Sequence, residues 1–255
     1  MTPADNPICL ALDYSELDEA RDLLSKIRQN IGMIKIGSEL FTAHGREALE
    51  LSKEFAVPVF LDLKLNDIPT TVEKTTEVVC RLLSKYSGQH YLSVHCMGGA
   101  NMCQAAFNVA RGSNVRITGT TVLTSLSERD FRDFGFRDSR PGIRTINLAL
   151  VGADCLNNQM AYNATKQRVF LGLNSFVCAP NQLSLMRQNL GDDVVLMTPG
   201  IRSTNDDNQD HLRTKPIGFA LKNGANWVVI GRPITKSADP VSASLHFKEQ
   251  AERAF

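Results

Sequence analysis

Net charge is almost absent from this chain. Its 28 basic and 27 acidic residues leave a formal charge of +1. A nucleic acid or other polyanion is therefore not an expected partner, and any bound anion must be held by local placement of cations. Long apolar runs are missing too. None approaches the ~20 residues of a membrane span. The amino-terminal MTPADNPICLALD has no basic stretch leading into a long apolar one, so neither a membrane segment nor a secretory signal is expected. The six cysteines (Cys9, Cys80, Cys96, Cys103, Cys155 and Cys178) show no C-x-x-C spacing and are scattered through apolar segments. That pattern argues against a zinc site or a disulfide framework and suits a reducing, cytoplasmic compartment. A Gly-rich turn after the first strand-like run is also lacking. Asp13-Tyr14-Ser15 stands there instead, which disfavours an open, doubly wound nucleotide-binding sheet.

What is present is alternation. Strand-like runs at 8–13, 33–37, 57–65, 91–96, 116–124, 175–179, 194–199 and 227–231 are separated by amphipathic stretches such as 16–30 and 72–86, with Leu and Ile three and four apart. Eight strands, each followed by a helix, predict an α/β fold, a closed (β/α)8 TIM barrel, with residues 1–255 forming one catalytic domain. A length of 255 residues with 43% hydrophobic content suits such a barrel and its large core. Two long polar connections, 125–141 after the fifth strand and 201–216 after the seventh, fall where a barrel builds its active site.

Charged residues occur where strands should be apolar. Neighbouring side chains on a strand point to opposite faces. In Phe60-Leu61-Asp62-Leu63-Lys64-Leu65 the leucines share the face towards the helices, and Asp62 and Lys64 share the face into the barrel. The same count turns Lys35 inward between Ile34 and Ile36, and Asp13 inward after Leu10 and Leu12. Asp67 follows in the turn Asn66-Asp67-Ile68-Pro69, where Pro69 and the threonines can start a helix. Five charges thus converge at the carboxyl ends of three consecutive strands. A plug of buried ion pairs is the alternative, but each buried ion costs several kcal/mol and a hydrophobic replacement is often as stable. Acid–base chemistry is the better reading, with Lys35, Asp62, Lys64 and Asp67 as candidate catalytic residues. Ile68, Pro69 and Thr71, beside Asp67, are candidate substrate contacts.

A second cluster closes the chain. The apolar run Trp227-Val228-Val229-Ile230 delivers Gly231 and Arg232, then Pro233, a residue typical of a first helical turn. Free N–H groups beside a guanidinium suit a phosphate dianion. Met197-Thr198-Pro199-Gly200-Ile201-Arg202 ends the seventh strand and brings Arg202 to the same quadrant, where barrels commonly bind phosphate. His95 and Cys96 are adjacent on a strand and point to opposite faces, so a packed or pocket-lining role is expected rather than a Cys–His nucleophile. Arg129, Arg132, Arg137, Arg140 and Arg144, interleaved with acids and phenylalanines, read as solvated surface.

Asp62-Leu63-Lys64-Leu65-Asn66-Asp67-Ile68-Pro69 carries a D-x-K-x-x-D pattern and closely resembles the orotidine 5′-phosphate decarboxylase family. The likeness extends to Ala11-Leu12-Asp13, Ile34-Lys35-Ile36-Gly37, Val94-His95 with Gly98-Gly99, Leu123-Thr124-Ser125, 198–202 and 230–235. Many bacterial relatives carry histidine at the place of Asn66. The resemblance implies a metal-free and cofactor-free lyase in which Asp62 lies beside the substrate carboxylate and Lys64 protonates the vinylic carbanion left by carbon dioxide. It assigns Asp13 and Lys35 to ribose hydroxyls, Thr124 and Ser125 to the pyrimidine edge, Arg232 and the Gly231 N–H to phosphate, and Gln209 to phosphate and pyrimidine. It also implies a homodimer in which Asp67 enters the neighbouring subunit's site. Magnesium-dependent sugar-phosphate decarboxylases and synthases share the motif but place a metal-binding carboxylate at the end of the second strand. Lys35 stands there in this chain.

Overall fold

The computed structural model describes residues 6–123, 125–126, 129–130, 173–202 and 214–254. Eight strands close on themselves in chain order: β1 (Ile8–Leu12), β2 (Met33–Gly37), β3 (Val59–Leu65), β4 (His90–His95), β5 (Val115–Thr120), β6 (Ser175–Val177), β7 (Val195–Thr198) and β8 (Trp227–Ile230). Every pairing is parallel, including the β1–β8 seam at Cys9↔Val229. The described helices are α1 (Leu17–Ile27), α2 (Ser38–His44), α3 (Glu50–Glu54), α4 (Pro69–Leu83), α5 (Ala100–Ala110), α6 (Leu183–Leu190), α7 (Ile217–Lys222), α8 (Arg232–Thr235) and α9 (Pro240–Glu252). The expected (β/α)8 barrel is the fold observed.

Strand alternation divides the apolar residues into two cores. Leu10, Leu12, Ile34, Ile36, Val59 and Leu61 face outward and meet the helices, including Leu23, Leu24 and Ile27 of α1 at helical spacing. Cys9, Ala11, Met33, Phe60, Tyr91, Val195, Met197 and Val229 face inward and fill the barrel. Burial on both faces explains why these strands read as nearly continuous apolar runs. On the β4–β6 side the interior turns polar. Ser93, Thr118 and Ser175 are fully buried there, and the Thr118 and Ser175 hydroxyls hydrogen-bond at 3.0 Å.

Element boundaries differ from the sequence reading for local reasons. β3 begins at Val59 because Pro58 has no N–H, and the Val57 N–H is used in a turn to Ser52 O at 3.0 Å. β5 ends at Thr120 rather than 124. Thr121 bonds to Val177 O through its side-chain hydroxyl (2.9 Å), replacing the next rung of the ladder. β8 stops at Ile230 because Gly231 already caps α8, its carbonyl accepting from Ile234 N at 2.8 Å. The helical stretch expected over 72–86 lies at 69–83, started by Pro69 in the first turn. One irregularity bears on the site. β3 and β4 pair at Leu61↔Leu92 and next at Leu65↔Val94, so β3 carries two surplus residues between these rungs.

Among the described residues, no helix is long and apolar enough to cross a membrane. The described cysteines, Cys9, Cys80, Cys96, Cys103 and Cys178, are all free thiols, and Cys155 lies outside the described residues.

Candidate active site

The inward charges of the first three strands meet at their carboxyl ends. The Lys35 ammonium donates to Asp13 Oδ1 at 2.9 Å and lies 4.0 Å from Asp62 Oδ2. Lys64 Nζ donates to the same Asp62 oxygen at 2.8 Å. The result is an alternating row, Asp13–Lys35–Asp62–Lys64. Its centre is largely buried, with the Lys35 and Asp62 side chains 13% and 12% exposed, whereas Asp13 at the rim is 49% exposed. Burial alone would push the Lys35 pKa down. The charges of Asp13 and Asp62 and the hydrogen bond that Lys35 donates to Asp13 outweigh it, and the net shift is upward.

Local backbone makes the row possible. A Cβ at Gly37 would stand 2.9 Å from Lys35 Nζ, so glycine there leaves room for the ammonium. Lys64 sits in the β3 bulge with a φ of 49°, a left-handed conformation that costs a non-glycine residue about 1–3 kcal/mol. Its N–H is taken up by Ser93 Oγ at 2.7 Å, and the Ser93 hydroxyl donates to Asp62 Oδ1 at 2.9 Å. Sequence reading did not single out Ser93 or Gly37 for the site. Counting by two along β4 puts Ser93 inward with Tyr91, but its partners depend on the bulge opposite.

The row forms one wall of a cavity of about 690 Å3, the size expected of a small-molecule site. Phe60, Val122, Leu123, Val177 and Val229 supply apolar lining, and Ser125 also borders the cavity. At the β7–β8 side stand Gly200, Arg202, Gly231, Arg232, Thr235 and Lys236, three of them cations in a chain with almost no net charge. A Cβ at Gly231 would press on Ala11 Cβ at 3.3 Å and Asp13 Oδ2 at 3.4 Å, so this glycine lets β8 close against β1.

Of the residues expected at the site, Asp13, Lys35, Asp62, Lys64, Ser125, Arg202, Gly231 and Arg232 line this cavity. Asp67, Ile68, Pro69 and Thr71 do not. β3 ends at Leu65 and the next residues turn onto the surface. There Asp67 Oδ1 accepts from Ile68 N at 2.7 Å and Ile68 is 66% exposed. The expected four-membered array therefore holds Lys35, Asp62 and Lys64 within one chain, joined by Asp13 and not by Asp67. Thr124 and Gln209 lie outside the described residues, as do Arg132, Arg137, Arg140 and Arg144. The His95 and Cys96 side chains do not pair. His95 Nδ1 accepts from Met97 N at 3.3 Å, and burial together with the Lys64 charge lowers the His95 pKa, favouring neutral imidazole. The Cys96 thiol, hydrogen-bonded to Cys103 and buried, is held well above the ordinary thiol range.

A family model described as the orotidine 5′-phosphate decarboxylase / HUMPS family matches residues 6–247. An orotidine 5′-phosphate decarboxylase of Nitrosomonas eutropha is 35% identical over 96% of this chain and 97% of its own length. One from a Wolbachia of Culex pipiens is 35% identical over 94% and 96%. The crystal structure of the orotidine 5′-phosphate decarboxylase of Lactobacillus acidophilus superposes with a TM-score of 0.75 at 26% identity, covering 96% of this chain and 99% of that one.

The charge row makes a prediction about stability. Lys35 titrates above the ordinary lysine value of 10.5 in the folded chain. The stability it contributes is then fully present below that value and is lost as pH rises through the raised one. Lys35→Met should cost about 1–3 kcal/mol near neutral pH, because buried Asp62 keeps only Lys64 as a cationic partner and half-exposed Asp13 loses its own. The gap between wild type and variant should shrink at the alkaline end, above the lysine range. Urea unfolding of both proteins across that range checks it, and a gap independent of pH would show that the carboxylates do not hold the ammonium.

Proposed function

The chain belongs to the orotidine 5′-phosphate decarboxylase / HUMPS family, and we propose that it releases carbon dioxide from orotidine 5′-phosphate to give uridine 5′-phosphate, the last step of pyrimidine nucleotide synthesis. The observation that carries this reading is Lys64 Nζ held 2.8 Å from Asp62, in a row whose other cation is Lys35. The substrate carboxylate sits beside Asp62. As the carbon–carbon bond breaks, its electron pair remains on ring carbon six as a vinylic carbanion. The Lys64 ammonium stabilises that charge while it develops and then donates its proton to the carbon. Asp62 disfavours the substrate carboxylate next to it and thereby raises the ground state.

The remaining contacts follow the cavity's polarity. The phosphate goes to the side of Arg232, the Gly231 N–H and Arg202, and the ribose hydroxyls to Asp13 and Lys35. The pyrimidine edge meets Thr124 and Ser125, and Gln209 reaches phosphate and base. Phosphate contacts far from the reacting carbon supply binding energy that can be used to orient the base.

Metal-free operation rests on Lys35. An ammonium 2.9 Å from Asp13 and 4.0 Å from Asp62 occupies the space between the carboxylates that a divalent cation would need. The same residue disfavours the magnesium-dependent sugar-phosphate reactions of related barrels. A single catalytic domain and a cytoplasmic setting fit this reading. In the assay, exhaustive chelation should leave decarboxylation unchanged, and Lys64→Ala should lower it by about 10⁴-fold or more, since charge stabilisation and proton donation vanish together. Activity restored only by magnesium, or substantial turnover by Lys64→Ala, would overturn the proposal.

The protein acts as a homodimer with shared sites. Asp67, with Ile68, Pro69 and Thr71 beside it, is exposed at the end of the strand that carries Lys64. These residues complete the neighbouring subunit's site, while Lys64 serves its own. Co-refolding inactive Lys64→Ala with inactive Asp67→Ala places both lesions in one site of each hybrid and leaves the other intact. Random pairing makes about half the dimers hybrid, so about a quarter of all sites should recover. If Asp67 serves its own subunit, every site carries a lesion and mixing recovers nothing.

A further inference from the structure

We infer that Ser93 is a positioning residue for the decarboxylation proposed above, on which this inference rests: its hydroxyl locks the Lys64 backbone and the Asp62 carboxylate into one unit. The starting point is the strand register. From Leu61 to Leu65, β3 runs four residues while β4 runs only two, from Leu92 to Val94. The surplus is taken up by a bulge in which Lys64 adopts its left-handed φ of 49°. Ser93 lies between the two β4 rungs, and its side chain supplies the acceptor for the Lys64 N–H at 2.7 Å.

A hydroxyl oxygen can accept one hydrogen bond while donating another. Ser93 Oγ accepts from Lys64 N, and its own proton goes to Asp62 Oδ1 at 2.9 Å. That second bond fixes the rotation of the carboxylate. With Oδ1 tied to Ser93, Oδ2 is the oxygen turned to Lys64 Nζ at 2.8 Å and Lys35 Nζ at 4.0 Å. One atom therefore holds the lysine backbone and aims the carboxylate that its ammonium grips. Ser93 has no exposed surface, so bulk water cannot take its place. Its side-chain hydrogen bonds go to Asp62 and Lys64, which line the cavity while Ser93 lies behind them, so it acts through these two residues.

Ser93→Ala preserves size within one atom and strands both partners, the Lys64 N–H and Asp62 Oδ1. A proton donor displaced by a fraction of an ångström loses rate while phosphate and ribose contacts persist. The expected result is a kcat lowered by about 10- to 100-fold with KM for orotidine 5′-phosphate changed less than about 3-fold. Ser93→Thr, which keeps the hydroxyl, should recover most of the lost kcat. Thermal unfolding of each variant shows whether the barrel is retained. A Ser93→Ala enzyme with wild-type kcat overturns the inference, as does a loss confined to KM. Equal kcat losses in the Ala and Thr variants also overturn it, because they point to packing and not to the hydroxyl. A wild type that turns over beside an unimpaired Ser93→Ala refutes this inference alone. A wild type inactive on the nucleotide refutes the functional reading and this inference with it.

Discussion

The Asp62 carboxylate stands between two ammonium groups inside a barrel whose other inward side chains are mostly apolar or hydroxyl-bearing. Burying one charge there would cost several kcal/mol, and the alternation of sign along Asp13–Lys35–Asp62–Lys64 offsets that cost only if the geometry is held tightly. Much of the local backbone serves that requirement. Gly37 leaves space for Lys35 Nζ, Gly231 lets the β8 end approach Ala11 and Asp13, and the β3 bulge presents Lys64 from a left-handed residue. A row of this kind is a poor choice for stability alone, since well-packed hydrophobic residues would do as well. Its place in the wall of a cavity is what connects the fold to chemistry.

The cavity separates two tasks in space. Arginines at the β7–β8 side suit an anion, and the charge row at the β1–β3 side suits a reaction in which negative charge moves from a carboxylate to carbon. A substrate that spans both ends gains binding energy from a group that does not react. In the proposed reaction that energy offsets the cost of seating a carboxylate beside Asp62. The cavity's polarity is compatible with the phosphorylated, carboxylated substrate proposed from family membership.

Alternation by two made the barrel and the charge row legible before any coordinates. The face assignment of Asp62 and Lys64 survives the bulge because the surplus is two residues, an even number, so Leu65 returns to the side of Leu61. The bulge itself was not legible, since it exists only relative to the β4 partner, and Ser93 went unnoticed for the same reason. Asp67 reads from sequence as one more member of the cluster. Only the direction of the turn after Leu65 moves it to the surface. The end of β5 is not legible in the sequence because the Thr121 hydroxyl, and not a backbone group, makes the next bond to Val177. Thr124 and Gln209 lie outside the described residues, and their roles rest on resemblance.

In the proposed reaction the Lys64 ammonium delivers the proton to ring carbon six. Microscopic reversibility allows this transfer to be tested without decarboxylation at all, by incubating uridine 5′-phosphate with the protein in D2O and following the hydrogen on ring carbon six by NMR. The wild type should exchange this hydrogen for deuterium, and Lys64→Ala, with its fold intact and nucleotide still bound, should not. Exchange at the wild-type rate in Lys64→Ala would contradict proton delivery by Lys64.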